Sequence, residues 1–429
     1  MKIISHLRIC FLIFIFPIFG YTWSSYGYAW SSYGYAWSSL FVSTAQAREI
    51  STLEGWQYYK SRFISHDGRI IDHYQRSISH SEGQGYGMLL AALHDDVDTF
   101  VRIYSWTRDN LMVRQDGLAA WSWGEREEGR WSVIDYNNAT DGDLLIAWAL
   151  LEGTRRWSDP NGRGGVAVPG NSEVDKYENF YKRWQVEISD IVAAVKSSLT
   201  VERGAKLLLL PGYFGFNHGE TLRINPSYFI FPAFKALMER DSKGSGNYPD
   251  QGNYPDQVNN MDRNDNFWAR LYTSSLNITR KSCMTKLSLP PDWINVDKRG
   301  EVLKPWNGMG KGSGGLGGES AKFGFESIRV PLYLAMARDR GGLEMFSPYL
   351  DFIGKLGYLP MVVDLSQETL SIHSASAGAH AVMAVCAGIL EKKSLEKSLM
   401  EKAHVKIRDE PDDYYSHTLY LLALSMEQK

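Results

Sequence analysis

The stretch WSVIDYNNATDGDLLIAWALLEGTRRW, residues 131–157, decides the fold class and raises the first question of chemistry. From residue 141 onward Leu144, Leu145, Trp148, Leu151 and Trp157 recur mostly at three- and four-residue spacing, the pattern of a helix with one apolar face. Asp141 and Asp143 stand at its start, after Thr140. Acids there are favoured by capping and by the helix dipole, so a purely structural role is one reading of the pair.

The same periodicity returns over 86–112, 172–200, 226–240, 260–280, 326–340, 374–392 and 413–427, separated by loops rich in Gly, Pro, Asn and Asp. Strictly alternating runs of Val, Ile and Thr are scarce, so the domain reads as all-α. The chain has 429 residues, 44% of them hydrophobic, enough to bury a large core. Lys and Arg number 46 against 49 Asp and Glu, with no basic block of the kind that follows phosphates. Nucleic acid is not an expected partner.

Residues 1–47 read as a leader. Lys2 and Arg8 precede the apolar run ICFLIFIFPIFG (9–20), which is short for a membrane span and carries Pro17 and Gly20. The small residues of STAQA, ending at Ala47, fit signal-peptidase cleavage before Arg48, which leaves residues 48–429 with no stable membrane span. Removing Lys2 and Arg8 leaves 44 basic against 49 acidic residues, a charge of −5. WSSYGYA repeats with a period of seven between Trp23 and Ser39; small and polar residues exclude a coiled-coil seam. It reads as a duplication within the leader, although cleavage after Gly20 instead leaves it on the mature chain as an aromatic, sugar-binding or adhesive tail.

Of the three cysteines Cys10 lies in the leader, leaving Cys283 and Cys386 as one disulfide or as two buried thiols. Neither CxxC nor HExxH occurs, and no metal or other cofactor is expected. The hexapeptide GNYPDQ, written twice over 246–257, reads as a surface insertion. In GMGKGSGGLGG (308–318) Lys311 is followed by Gly rather than Ser or Thr, so the segment is read as a turning loop and not as a phosphate cradle.

Aromatic residues give the acids their second reading. Trp106, Trp121, Trp123, Trp131 and Trp148 crowd near Asp141 and Asp143 in sequence. A sugar stacks its C–H face on indole and hydrogen-bonds carboxylates through its hydroxyls, so this company suggests a carbohydrate groove with Trp121 and Trp131 among its contacts. A second acid, Glu82, stands alone among Gly83, Gly85 and Gly87 in SISHSEGQGYGMLLAAL (77–93), just before another apolar helical run.

SEGQGYGM (81–88), WSVIDYNNATDGDLLIAWALLE (131–152), RINPSYF (223–229), PPDW (290–293) and FGFESIRVPLYLA (323–335) together resemble glycoside hydrolase family 8, in the branch of the endoglucanase that accompanies bacterial cellulose synthase. The likeness runs from about Trp56 to the C-terminal YYSHTLYLLAL. It implies an (α/α)6 barrel, an open cleft for β-1,4-glucan, and metal-free hydrolysis with inversion. It makes Glu82 the general acid, with its glycines letting the backbone turn sharply and keeping bulk from the sugar. It makes Asp141 the grip on the sugar at the cleavage point, with Asp143 in support. Arg223, Asn225, Ser227, Tyr228, Asp292 and Trp293 resemble the cleft-lining set, and Arg329 is expected to orient the carboxylate three residues before it.

That carboxylate is Glu326, where the cellulase branch carries Asp as the base that activates water. Glu extends the charge by one methylene, about 1.5 Å. The expected function is therefore a secreted or periplasmic endo-β-1,4-glucanase, linked by resemblance to the cellulose synthase machinery. The alternatives are a glucan-binding protein weakened at Glu326, or a family member acting on mixed-linkage glucan, xylan or chitosan.

Overall fold

The computed structural model describes residues 52–157, 172–244, 267–304 and 321–427; the leader, the duplication at 246–257 and the glycine run at 308–318 lie outside them. The described residues belong to one unit, Gln46–Lys429. Among them the helices are α1 (Thr52–Phe63), α2 (Ser81–Leu93), α3 (Val97–Asn110), α4 (Thr140–Trp157), α5 (Ser172–Ser198), α6 (Phe231–Gly244), α7 (Phe267–Ser282), α8 (Arg329–Met336), α9 (Arg340–Leu343), α10 (Ser347–Leu356), α11 (Ala377–Ile389), α12 (Lys393–Lys406) and α13 (Tyr414–Glu427).

The expected helix over 86–112 is two helices. Asp95 takes a left-handed φ of 57°, and the Asp96 side chain accepts from the Thr99 N–H to begin α3. A short acid that caps a new helix has outcompeted the apolar periodicity running through it. Helices α1, α9, α10 and α12 were not anticipated, although α1 buries Trp56, Tyr59 and Phe63 at the spacing an amphipathic helix requires.

Two kinds of helix alternate along the chain. Helices α2, α4, α8 and α11 are buried almost all round: every residue of α11 from Ala377 to Ala387 is covered. Helices α1, α3, α7, α10 and α12 bury a single stripe. The inner helices pack in the order α2, α4, α6, α8, α11, α13, and α13 returns to α2. Six inner helices closed into a ring, each preceded by an outer one, form an (α/α)6 barrel, as the sequence led us to expect.

The glycines of the Glu82 segment do something other than turn the chain. All three lie within α2, where a Cβ on Gly85 would stand 2.5 Å from Leu145 Cβ and one on Gly87 would stand 2.6 Å from Ile70 Cδ1. From α4, a Cβ on Gly142 would stand 2.1 Å from Ser81 Oγ. Gly85 and Gly142 let α2 and α4 touch backbone to backbone, and Gly87 leaves room for Ile70. Gly85→Ala is therefore expected to destabilise by about 1–3 kcal/mol through overpacking, despite the roughly 1 kcal/mol that Ala gains in helix propensity. A urea midpoint that stays put or rises would refute the close-packing argument.

Small antiparallel sheets decorate one end of the barrel. Ser79–His80 pairs with Ser122–Glu125, and that strand with Trp131–Asp135. Thr221–Ile224 pairs with Ile294–Asp297, and Lys322–Phe323 with Val363–Asp364. The strands beginning at Ser79, Thr221 and Lys322 each deliver the chain toward the N-terminus of an inner helix, α2, α6 and α8 respectively. At two to five residues they are too short to show alternation in the sequence.

Candidate active site

Glu82 and Asp141 are each the second residue of their helix, and Arg329 is the first of α8. The N-termini of all six inner helices meet here. Arg329 joins α8 to Ser227 ahead of α6, Tyr415 Oη of α13 donates to Phe325 O at 2.9 Å, and the Gly378 N–H of α11 donates to Ser416 Oγ at 2.9 Å. Converging N-terminal dipoles favour negative charge, which is why an acid cluster is tolerated at this end.

Arg329 is the hub. It is 2% exposed, and its Nη1 lies 2.7 Å from Glu82 Oε1 and 3.0 Å from Asp141 Oδ2. Its Nη2 is in close contact with Glu326 Oε2 and donates to Ser227 Oγ at 2.7 Å. Glu82 Oε1 is in ion-pair reach yet out of line for a hydrogen bond, and no other described group satisfies it. A buried guanidinium needs polar and charged partners; here three carboxyl groups surround it. The sequence led us to expect only the Glu326 contact, three residues away.

Behind Glu326 stands a second row. Asn225 Nδ2 donates to Glu326 Oε2 at 3.2 Å and Ser227 Oγ lies 3.3 Å from it, while Asn225 Oδ1 accepts from both Ser227 N–H and Ser227 Oγ. Asp292 Oδ1 accepts from the N–H groups of Ser327 and Gly324 and from Ser327 Oγ, fixing the turn that carries Glu326. Asn225 and Ser227 are fully buried, so they act through Glu326 rather than by touching a substrate.

Asp143 is likewise fully buried. Its Oδ1 accepts from Ala119 N–H and its Oδ2 from Asn138 Nδ2, and Asn138 Oδ1 accepts from Tyr213 N–H. It pins three loops rather than lining the cleft. Asp141, 1% exposed, is held by Arg329 and by the Gly142 N–H.

The aromatic residues form the walls. Trp293 stacks on Phe216 with an interplanar angle of 3°, with Arg223 at 4.7 Å over its ring and Tyr228 beside it. Trp131 is exposed and packs on Trp123, and Arg69 lies over both rings. Trp121 is half-buried, and its carbonyl accepts from Ser81 N–H at the head of α2. Tyr86 and Tyr333, whose hydroxyls meet beneath the site, were not anticipated. Each lies one helical turn after Glu82 and Arg329, and that spacing was the available signal. Cys283 and Cys386 are free thiols. Among the described residues no His, Cys, Asp and Glu cluster has metal-holding geometry.

The sequence pattern of glycosyl hydrolases family 8 matches residues 29–164 and 254–429, most of the chain. The chain belongs to this family. Similarity extends to a probable endoglucanase of Novacetimonas hansenii, 27% identical over 370 residues that cover 86% of this chain and 88% of that one. An endoglucanase of Cellulomonas uda is 30% identical over 282 residues, 65% of this chain and 62% of that relative. Among solved structures, the endo-beta-1,4-glucanase CMCax of Acetobacter xylinum is 25% identical with a TM-score of 0.64, covering 88% of this chain and 98% of that one.

In this family 8 chain the buried acids set a pH dependence. Burial, and then the charge of Glu82, push the Asp141 carboxyl well above the usual carboxylate range. Burial pushes Asp143 up to about 7 and Asp292 up to about 6. The folded chain thus keeps protons on these groups at pH values where the unfolded chain releases them near 4. Their contribution to stability is greatest at low pH and is lost as pH rises through ~4 to 7. For Asp143 the loss is on the order of 2–4 kcal/mol. Urea midpoints should fall between pH 5 and 8, with a shallower slope in Asp143→Asn; a midpoint rising over that range would reject the sign.

Proposed function

We propose that the chain is an exported endo-β-1,4-glucanase that cleaves cellulose-type chains with inversion at the anomeric carbon. The observation that carries this reading is the placement of Glu82 and Glu326 on opposite nitrogens of one buried guanidinium. Two carboxyls thus face one cleft from two helix ends, the arrangement that acid–base glycoside hydrolysis requires.

Glu82 gives its proton to the leaving glycosidic oxygen, while Glu326 takes a proton from the water that attacks the opposite face of the sugar. Glu82 and Asp141 both stand against Nη1 of Arg329, and burial followed by the charge of Glu82 favours the protonated form of Asp141. Asp141 holds Arg329 in place and keeps a proton within reach of the acid. Trp293 and Trp131 offer faces for the sugar rings. A leader ending at Ala47 would place the enzyme outside the cytoplasm; no described helix is long and apolar enough to cross a membrane. The relatives named endoglucanase support the substrate class, and association with cellulose synthesis rests on the motif resemblance alone.

Glu326 favours a second reading, that of a glucan binder with a displaced base. Against it stand the three contacts that hold Oε2 and leave the side chain 38% exposed to the cleft. Reducing-end release by residues 48–429 on carboxymethylcellulose, mixed-linkage glucan, xylan and chitosan tests the proposal. Preference for carboxymethylcellulose with initial α-anomer by NMR supports it. Binding of cellopentaose without products would favour the binder, and a preference for another polymer would move the specificity.

A further inference from the structure

We propose that His80 is a positioning residue for the general acid: its imidazole holds the first turn of α2 and, through that turn, the carboxyl of Glu82. The inference rests on the reading of Glu82 as the acid. His80 is the N-cap of α2, with φ −134° and ψ 155°, and its Nδ1 accepts from Gly83 N–H at 3.1 Å. Gly83 directly follows Glu82, so this bond closes around the acid.

An accepting ring nitrogen carries no proton, so the ring proton belongs to Nε2. Nε2 faces Tyr414 Oη of α13 at 3.1 Å and Asp72 Oδ2 at 3.7 Å. Asp72 is itself fixed: Oδ1 accepts from Tyr74 and Gln75 N–H, and Oδ2 from Gln75 Nε2. Its carboxylate therefore selects the tautomer that leaves Nδ1 bare for the cap. The titratable groups facing the ring are Asp72 from the 64–78 segment, Tyr414 from α13 and Glu82 on its own helix.

The approach to His80 is stiff as well. Arg76 and Ser77 adopt left-handed φ values of 57° and 56°, and Arg69 Nη1 donates to Ser77 O at 2.7 Å. A Ser or Asn cap would satisfy Gly83 N–H equally well. The imidazole adds a link from the acid's helix to two other parts of the barrel rim, which holds Glu82 in one place.

A cap that served stability alone would slow every substrate alike. A misplaced acid slows only substrates whose leaving group needs a proton. The full chain and its His80→Ala, His80→Asn, Asp72→Asn and Glu82→Gln variants would be compared on cellopentaose and on a dinitrophenyl cello-oligosaccharide, whose leaving group departs unprotonated. His80→Ala is expected to lose roughly 10–100-fold in kcat on cellopentaose and less than about 3-fold on the aryl substrate, with KM little changed.

His80→Asn, whose amide oxygen can accept from Gly83 N–H but which lacks the Nε2 contacts to Tyr414 and Asp72, should restore the cap and the stability while recovering only part of the kcat loss on cellopentaose. Asp72→Asn turns an amide N–H toward Nε2, favours the other tautomer and should show the same contrast between substrates with His80 still present. Equal losses on both substrates in His80→Ala and Asp72→Asn, or no loss, would overturn the inference. Should His80→Ala not fold, Asp72→Asn carries the same decision. Should Glu82→Gln itself lack the contrast, the acid assignment fails instead, which separates the two failures.

Discussion

Glu82→Gln is expected to lower cleavage of carboxymethylcellulose by about 10²–10⁴-fold while leaving cellopentaose affinity within a few fold. Glutamine keeps the shape and the hydrogen-bonding reach of the side chain but has no proton to give at working pH. The fold should survive, because Arg329 retains Asp141 and Glu326 as partners. Asp141, relieved of the charge that opposes its own ionisation, moves back toward the charged form and strengthens its hold on Nη1. Reducing-end assays beside calorimetry read both halves. Unchanged turnover would remove Glu82 from the acid role, and lost binding would make it a sugar ligand instead.

Glu326→Asp is expected to lose roughly 10–100-fold in kcat. Oε2 of Glu326 is held by Arg329, Asn225 and Ser227, and the turn beneath it is fastened by Asp292. Shortening the side chain by a methylene withdraws the carboxylate by about 1.5 Å from that grip. A base misplaced by ~1 Å costs about 100-fold. The surroundings are thus matched to the longer side chain, even though the cellulase branch carries Asp here. A single comparison of purified residues 48–429 with the variant decides it. An Asp variant as active as the native chain, or more so, would mean that the base has drifted, and the binder reading would gain.

Much of this protein was legible before any coordinates. Helical periodicity of three and four residues is a local property, and it identified most of the inner helices. The acids at the heads of α2 and α4 were visible because an N-terminal carboxylate beside glycines or aromatics is a local pattern too. Where local signals competed, the reading slipped: Asp96 capped a new helix inside an apolar run, and strands of two to five residues were too short to register.

Other features depended on what meets across the barrel. Gly85 looked like a turn-former, and only the packing of α2 on α4 shows that it, with Gly142, admits a neighbouring backbone. Asn225 and Ser227 looked like cleft residues, and burial makes them supports instead. Arg329 looked like a partner for one carboxylate and serves three, because closing the ring brings the N-termini of α2, α4 and α8 to a single point. Sequence alone determined where the inner helices lie and which helix heads carry acid, since both follow from neighbours along the chain. Which acids meet at one guanidinium was decided by tertiary structure, because electrostatic interaction depends on distance through space.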